Sequence, residues 1–226
     1  GKIKTIPVLD DQNHLVGVAI RRLPELRLGS FVISEDTPTF IIAEIGNNHN
    51  GSLDLAKTLI EEAKASGANC AKFQMRQINA IYANQGNPND VNEDLGAQYV
   101  LDLLSKFSLS NEEMIAAFDY CKELGMLPLC TPWDKESLAL LENYGMAAYK
   151  IGSPDLTNLG LLGDIVATNK PIILSTGMST ETEIRQTVSF LKEEAANFVL
   201  LHCNSSYPTP FKDIQLNYMK RLKEIG

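Results

Sequence analysis

Two lysines each close a short apolar run, Lys72 in Cys70-Ala71-Lys72-Phe73 and Lys150 in Ala148-Tyr149-Lys150-Ile151. A buried ammonium is costly unless it meets an anion or takes part in a covalent step, although a lysine stem can also lie along apolar surface and lift its charge to the rim. Two of them in equivalent places favour a ligand. Small polar residues recur in similar settings: Ser153 after Gly152, Ser175 before Thr176-Gly177, and the run Asn204-Ser205-Ser206. Singly, such serines are turn or cap residues; beside two ammonium groups they suit a phosphate and a carboxylate carried on one small molecule. Glu44 and Asp155 are the acid/base candidates. Glu44 interrupts the apolar run Phe40 to Ile45, so its carboxylate should face a lysine or a substrate hydroxyl. Asp155 could equally cap a helix beginning near Thr157.

These residues sit at the ends of short apolar strands, and such a strand followed by a helical pattern recurs six times between Phe40 and Tyr207. Strands alternating with helices call for a parallel sheet, in which chemistry gathers at the carboxyl ends of the strands. The expected strands are 40–45, 70–75, 126–130, 147–151, 171–174 and 197–202. The expected helices are 53–66, 93–105, 111–124, 135–144, 158–168, 180–195 and 213–225, with a polar excursion to about 92. Ser110 with its following acids and Thr180 with Glu183 are helix-start signals. Gly67, Gly125 and Gly145 are helix-ending glycines. Runs such as Ile172-Ile173-Leu174 suit strands covered on both faces. No GxGxxG follows the first strand, so a dinucleotide-binding fold loses ground to a barrel. About six βα units are present. Ahead of them, residues 2–25 read as a β-hairpin turning at Asp11 to Asn13, and Leu26 to Ser34 as one short extended segment.

The 226 residues carry a formal net charge of -8, which argues against nucleic acid or an anionic membrane as the main partner. The four cysteines form no CxxC pair, so neither a zinc site nor a disulfide framework is suggested. No signal peptide or spanning segment is visible, and a cytoplasmic protein is expected.

Five motifs occur in consistent order: Ile42-Ala43-Glu44-Ile45-Gly46-Asn47-Asn48-His49-Asn50-Gly51-Ser52, Lys72-Phe73-Gln74, Tyr149-Lys150-Ile151-Gly152-Ser153, Leu174-Ser175-Thr176-Gly177-Met178, and Leu201-His202-Cys203-Asn204-Ser205-Ser206-Tyr207-Pro208-Thr209-Pro210. Together residues 26–226 resemble the N-acetylneuraminate (sialic acid) synthase family. The resemblance implies a (β/α)₈ TIM barrel that condenses phosphoenolpyruvate with an N-acetylated aldose, such as N-acetylmannosamine, to a nonulosonic acid and phosphate. It implies that Lys72, Lys150, Ser153, Ser175 and Ser205 hold phosphoenolpyruvate, that Gln74, Thr131, Trp133 and Tyr207 line the sugar pocket, and that Glu44 and Asp155 serve catalysis. It also implies a divalent metal (Mn2+ or Mg2+) whose histidine ligands lie downstream of this chain, and a homodimer. Asp155 stands where members carry glutamate, Trp133 where they carry phenylalanine, and Ser205 where asparagine is common. Residues 1–25 resemble the final hairpin of a CBS domain.

A TIM barrel needs about eight strands, so the chain is expected to be an incomplete barrel, inactive alone and prone to aggregate through its open edges. Two other functions fit some of the same residues: a Schiff-base aldolase using Lys150, and a non-catalytic sensor in which the CBS-like piece binds a nucleotide.

Overall fold

In the computed structural model the described residues are 5–20, 25–78, 104–206 and 208–226. Strands β1 (Thr5–Leu9) and β2 (Leu15–Ile20) pair antiparallel as a separate hairpin. Asp10 shapes its turn, its carboxylate accepting from the backbone N–H of Gln12 at 2.9 Å and of His14 at 2.8 Å. Leu26 to Ser34 is not one extended segment. It folds into a second hairpin, β3 (Leu26–Leu28) and β4 (Phe31–Ile33), because Gly29 adopts a left-handed φ of 57° and turns the chain at Gly29-Ser30.

The remaining strands are β5 (Ile42–Gly46), β6 (Cys70–Met75), β7 (Leu127–Pro132), β8 (Tyr149–Ile151), β9 (Ile172–Ser175) and β10 (Phe198–Leu201), and they form one six-stranded sheet in sequential order. Every neighbouring pair is parallel. The connections carry helices α1 (Leu53–Ala65), α2 (Asn111–Glu123), α3 (Lys135–Tyr144), α4 (Leu159–Val166) and α5 (Glu181–Glu193), and α6 (Tyr218–Ile225) follows β10. This is an α/β fold with a parallel sheet of six TIM-barrel βα units. Ser110 with Glu113 and Thr180 with Glu183 form reciprocal capping boxes at the starts of α2 and α5. Gly67, Gly125 and Gly145 close the helices with positive φ, as expected.

Several boundaries differ from expectation, among them the first barrel strand, which starts at Ile42 rather than at 40, and the fourth, which starts at Tyr149 rather than at 147. The last helix starts at Tyr218 rather than near 213, since Phe211–Asp213 is a single 3-10 turn and Ile214 is extended. The helix expected over 158–168 is shorter, and Asn158 caps it by accepting from Leu161 N–H at 3.3 Å. The excursion toward 92, and most of the helix expected over 93–105, lie outside the described residues.

The sheet divides the core in two. On its outer face the helices bury Phe73, Phe118, Leu141, Tyr149, Ile151, Leu162, Ile165, Leu174 and Leu191. The inner face holds Cys70, Leu127, Leu129, Ala148 and Ile173, against which the β3–β4 hairpin inserts Leu26 and Leu28. Cys70, Leu129, Ala148 and Ile173 each stand two residues before a polar side chain at a strand end: Lys72, Thr131, Lys150 and Ser175. With a side-chain period of two, the apolar layer is the floor beneath the polar one. The β3–β4 hairpin therefore supports the site from below. Leu28 is fully buried. Leu28→Ala is expected to destabilise by about 2–5 kcal/mol, as a core truncation does, read by urea denaturation with an unchanged m-value.

The two edge strands are less covered than the middle ones. Glu44 on β5 and Val199 on β10 are exposed, whereas every residue of β7, β8 and β9 is buried. Among the described residues no helix is long and apolar enough to cross a membrane.

Candidate active site

Lys72 and Glu44 face each other across β5 and β6, where they are register partners. Their side chains form an ion pair at 2.7 Å, with Lys72 only 6% exposed and Glu44 57%. The carboxylate that interrupted the first apolar strand thus meets a cation, and the lysine that closed the second meets its counter-charge.

Lys150 is buried on β8. Its ammonium donates to the Ile151 carbonyl at 3.0 Å and to the Ser175 hydroxyl at the end of β9. The Cys203 thiol reaches the same hydroxyl from the end of β10 at 3.3 Å. Burial first, and then the neighbouring Lys72 charge, weakens the hold of Lys150 on its proton, while Glu44 and Cys203 oppose that shift. Two ammonium groups close enough to repel in a poorly solvated place attract an anion more strongly than either does alone.

The turns after β8 and β9 are tied together. Ser153 Oγ accepts from the Gly177 N–H at 3.0 Å, and Thr176 Oγ1 donates to the Leu201 carbonyl at 2.8 Å. Gly177 lies so close to β10's end that a Cβ there would stand 3.0 Å from the Cys203 carbonyl carbon. Three strand ends are thereby locked at fixed spacing around Lys150 and Ser175.

Asp155 is not a helix cap. It closes the 3-10 turn Ser153–Asp155, one carboxylate oxygen accepts from Asn158 Nδ2 at 3.2 Å, and the other is buried without a partner. Burial raises its pKa and the Asn158 hydrogen bond partly offsets this. A group whose folded pKa lies above its unfolded value of 3.8 opposes folding increasingly as pH rises through the window between the two. Asp155→Asn is therefore expected to raise Tm at neutral pH. The gain should disappear as pH is lowered toward 3.8, which paired thermal melts across pH would check.

Gln74 and Thr131 are register partners on β6 and β7. Thr131 is 2% exposed with a hydroxyl that lacks a partner, and the Trp133 indole N–H is likewise buried and unpaired. Ser205 is exposed on the loop after β10; Tyr207 lies outside the described residues. The structure thus gathers Glu44, Lys72, Lys150, Ser153 and Ser175 around the inner strand ends and places Gln74, Thr131 and Trp133 beside one another; it does not bring Ser205 into that group. Two further polar side chains belong to the same face, Arg76 and Cys203. Both were legible as the next step of the strand alternation, Lys72-Gln74-Arg76 and Leu201-Cys203. Among the described residues no three His, Cys, Asp or Glu side chains come together as a metal site.

Residues 59–226 match the NeuB family. The chain belongs to that family, the sialic acid synthases. The N,N'-diacetyllegionaminic acid synthase of Campylobacter jejuni is 38% identical over 191 residues, covering 82% of this chain and 57% of that protein. The N-acetylneuraminate-9-phosphate synthase of Drosophila melanogaster is 32% identical over 186 residues, covering 81% of this chain and 50% of that protein. A solved structure, the N-acetylneuraminic acid (sialic acid) synthetase of Leptospira borgpetersenii serovar Hardjo-bovis in complex with citrate, matches with a TM-score of 0.78 at 32% identity, covering 89% of this chain and 67% of that one. The chain thus spans about half the length of these curated relatives.

Proposed function

We propose that the protein condenses phosphoenolpyruvate with an N-acetylated aldose to give a nonulosonic acid and phosphate. The observation that carries this is the pair of buried lysines, Lys72 and Lys150, on one face of the sheet with Ser175 between strand ends. Phosphoenolpyruvate carries two anionic groups, and two ammonium groups flanked by hydroxyl donors complement them. Ser153 holds the Gly177 turn in place and so fixes the donors around that anion. Glu44 orients Lys72 and balances its charge in the resting site.

Asp155, whose burial favours the protonated form, moves a proton as the enol carbon attacks the aldehyde or as phosphate leaves. Gln74, Thr131 and Trp133 receive the sugar, and the Thr131 hydroxyl and the Trp133 indole N–H, unpaired in the free protein, gain partners when it binds. A divalent ion, when bound, would supply Lewis-acid polarisation of the aldehyde, and its ligands would come from outside the described residues. The relatives' names span legionaminic acid, N-acetylneuraminate-9-phosphate and pseudaminic acid synthases, and N-acetylmannosamine is the first sugar to test. The full activity, and a homodimer, are proposed for a longer protein that includes further βα units. Assayed alone with phosphoenolpyruvate, N-acetylmannosamine and manganese, the 226-residue chain is expected to release no phosphate above background.

Burial and the neighbouring Lys72 charge, which weaken the hold of Lys150 on its proton, favour one second reading, a Schiff-base aldolase, because a lysine that gives up its proton more readily is the better nucleophile. Borohydride trapping with pyruvate separates the two. An adduct on Lys150 would establish the aldolase, and no adduct together with calorimetric binding of phosphoenolpyruvate would establish the synthase site.

A further inference from the structure

Beyond the end of β6 the chain is fastened to the end of β7 on both sides of Arg76. The Trp133 N–H donates to the Met75 carbonyl at 3.0 Å, and the Gln77 N–H donates to the Asp134 carboxylate at 2.8 Å. The strand ends that carry Arg76 and Trp133 are thus held together by one backbone–backbone bond and one bond from backbone to carboxylate. The guanidinium lies over the indole, 4.8 Å from the ring centroid. One of its terminal nitrogens donates to Gln74 Oε1 at 2.7 Å. Among the described residues no carboxylate pairs with Arg76. Stacking and one amide contact orient the cation and leave the rest of its donor fork unused.

Close by are two further groups without partners, the Thr131 hydroxyl and the Trp133 indole N–H. All of the unused groups on Arg76 and Trp133 are donors, and the Thr131 hydroxyl can also donate. Arg76 comes four residues after Lys72 on the alternating inner face, about 13 Å further along at strand rise. An aldose whose aldehyde lies at the phosphoenolpyruvate site would extend its far end toward this cluster.

The geometry points to an anion subsite formed by Arg76, Trp133 and Thr131 that selects a sugar bearing an oxyanion, phosphate or carboxylate, at the end remote from the aldehyde. This rests on the synthase reading for the placement of the sugar, and the subsite chemistry stands on its own contacts. The guanidinium offers paired N–H groups to two oxygens of the anion, the indole stacking keeps the fork planar and in place, and the hydroxyl supplies a further donor. A neutral sugar end would leave the cation without a counter-charge.

Trp133 is the single tryptophan of the chain, so its fluorescence reports directly on the group stacked above it. The protein, held in saturating phosphoenolpyruvate to block the Lys72–Lys150 site, is titrated with N-acetylmannosamine, its 6-phosphate and the corresponding 6-carboxylate. The expected result is a saturable fluorescence change in which at least one anionic sugar binds about tenfold or more tightly than the neutral one, the gain a charge-assisted contact provides. The tighter of the two anions identifies the natural group. Arg76→Met should remove the preference and Arg76→Lys should restore it only in part, with unchanged thermal melts confirming that both variants fold. Equal binding of neutral and anionic sugars, or a preference that survives Arg76→Met, overturns the proposal. Sugar-dependent phosphate release, measured separately on the full-length protein, tests the synthase reading. An anion preference without turnover leaves the subsite standing, and turnover without the preference removes the subsite alone.

Discussion

Lys150→Met is expected to abolish measurable binding of phosphoenolpyruvate, a loss of about a hundredfold or more. Each hydrogen bond to a charged group contributes about 1.5–3 kcal/mol, and the ammonium can offer an anion both its charge and its donors. The fold should survive. Lys150 is buried beside a second ammonium, and removing a buried charge of that kind relieves a desolvation penalty that the Ser175 and Ile151 contacts only partly offset. The variant should therefore melt at or above the wild-type temperature while titration calorimetry shows no heat of binding. Lys72→Met should lose binding too but gain no stability, because it leaves the Glu44 carboxylate without its 2.7 Å partner. The difference between two similar substitutions follows from their partners: one lysine has a counter-ion and the other has hydroxyl and carbonyl oxygens.

The second large effect is structural. Gly51 sits in the loop between β5 and α1 with φ at 76°, and a Cβ there would fall 2.5 Å from the Lys106 carbonyl oxygen. Gly51→Ala thus combines a left-handed backbone with a collision against another backbone segment that no side-chain rotation can relieve. About 3 kcal/mol or more of destabilisation is expected from the two terms together, or roughly 6–12 °C in Tm for a chain of this size. The damage should reach the site. The Gly51 N–H donates to His49 Nδ1 at 3.2 Å, and the fully buried His49 ring stacks on Phe73, the neighbour of Lys72. Differential scanning calorimetry with and without phosphoenolpyruvate would show a lower Tm and a smaller ligand-induced rise.

Much of this was readable in the sequence because local chemistry agrees with the global fold. Ser110-Asn111-Glu112-Glu113 and Thr180-Glu181-Thr182-Glu183 carry their capping boxes within four residues, and both helices start there. The polar strand ends were readable for a similar reason. A lysine or glutamate inside an apolar run has few places to go, and the alternation of the strand sends Glu44 and Lys72 to the same face.

What was missed depends on distance or on backbone angles. The β3–β4 hairpin turns on a single positive φ at Gly29, and its support of the site depends on inner-face residues as distant in the chain as Ile173. Asp155 could be read as a cap because its spacing allows it; Asn158, three residues on, takes that role and leaves Asp155 with an unpaired buried oxygen. Arg76 lies one step past the end of β6, and the alternation Lys72-Gln74-Arg76 gives its face but not its partner. Only the cross-links Met75–Trp133 and Gln77–Asp134 place it over the indole.

The most direct test of the central claim is phosphate release from phosphoenolpyruvate by the full-length protein, with an N-acetylated aldose and manganese, in wild type and in Lys150→Met. The anion site built from Lys72, Lys150 and Ser175 predicts release that requires the sugar, matches it mole for mole with a nonulosonic acid product, and vanishes in the variant. Release without sugar, or full activity in Lys150→Met, would contradict it.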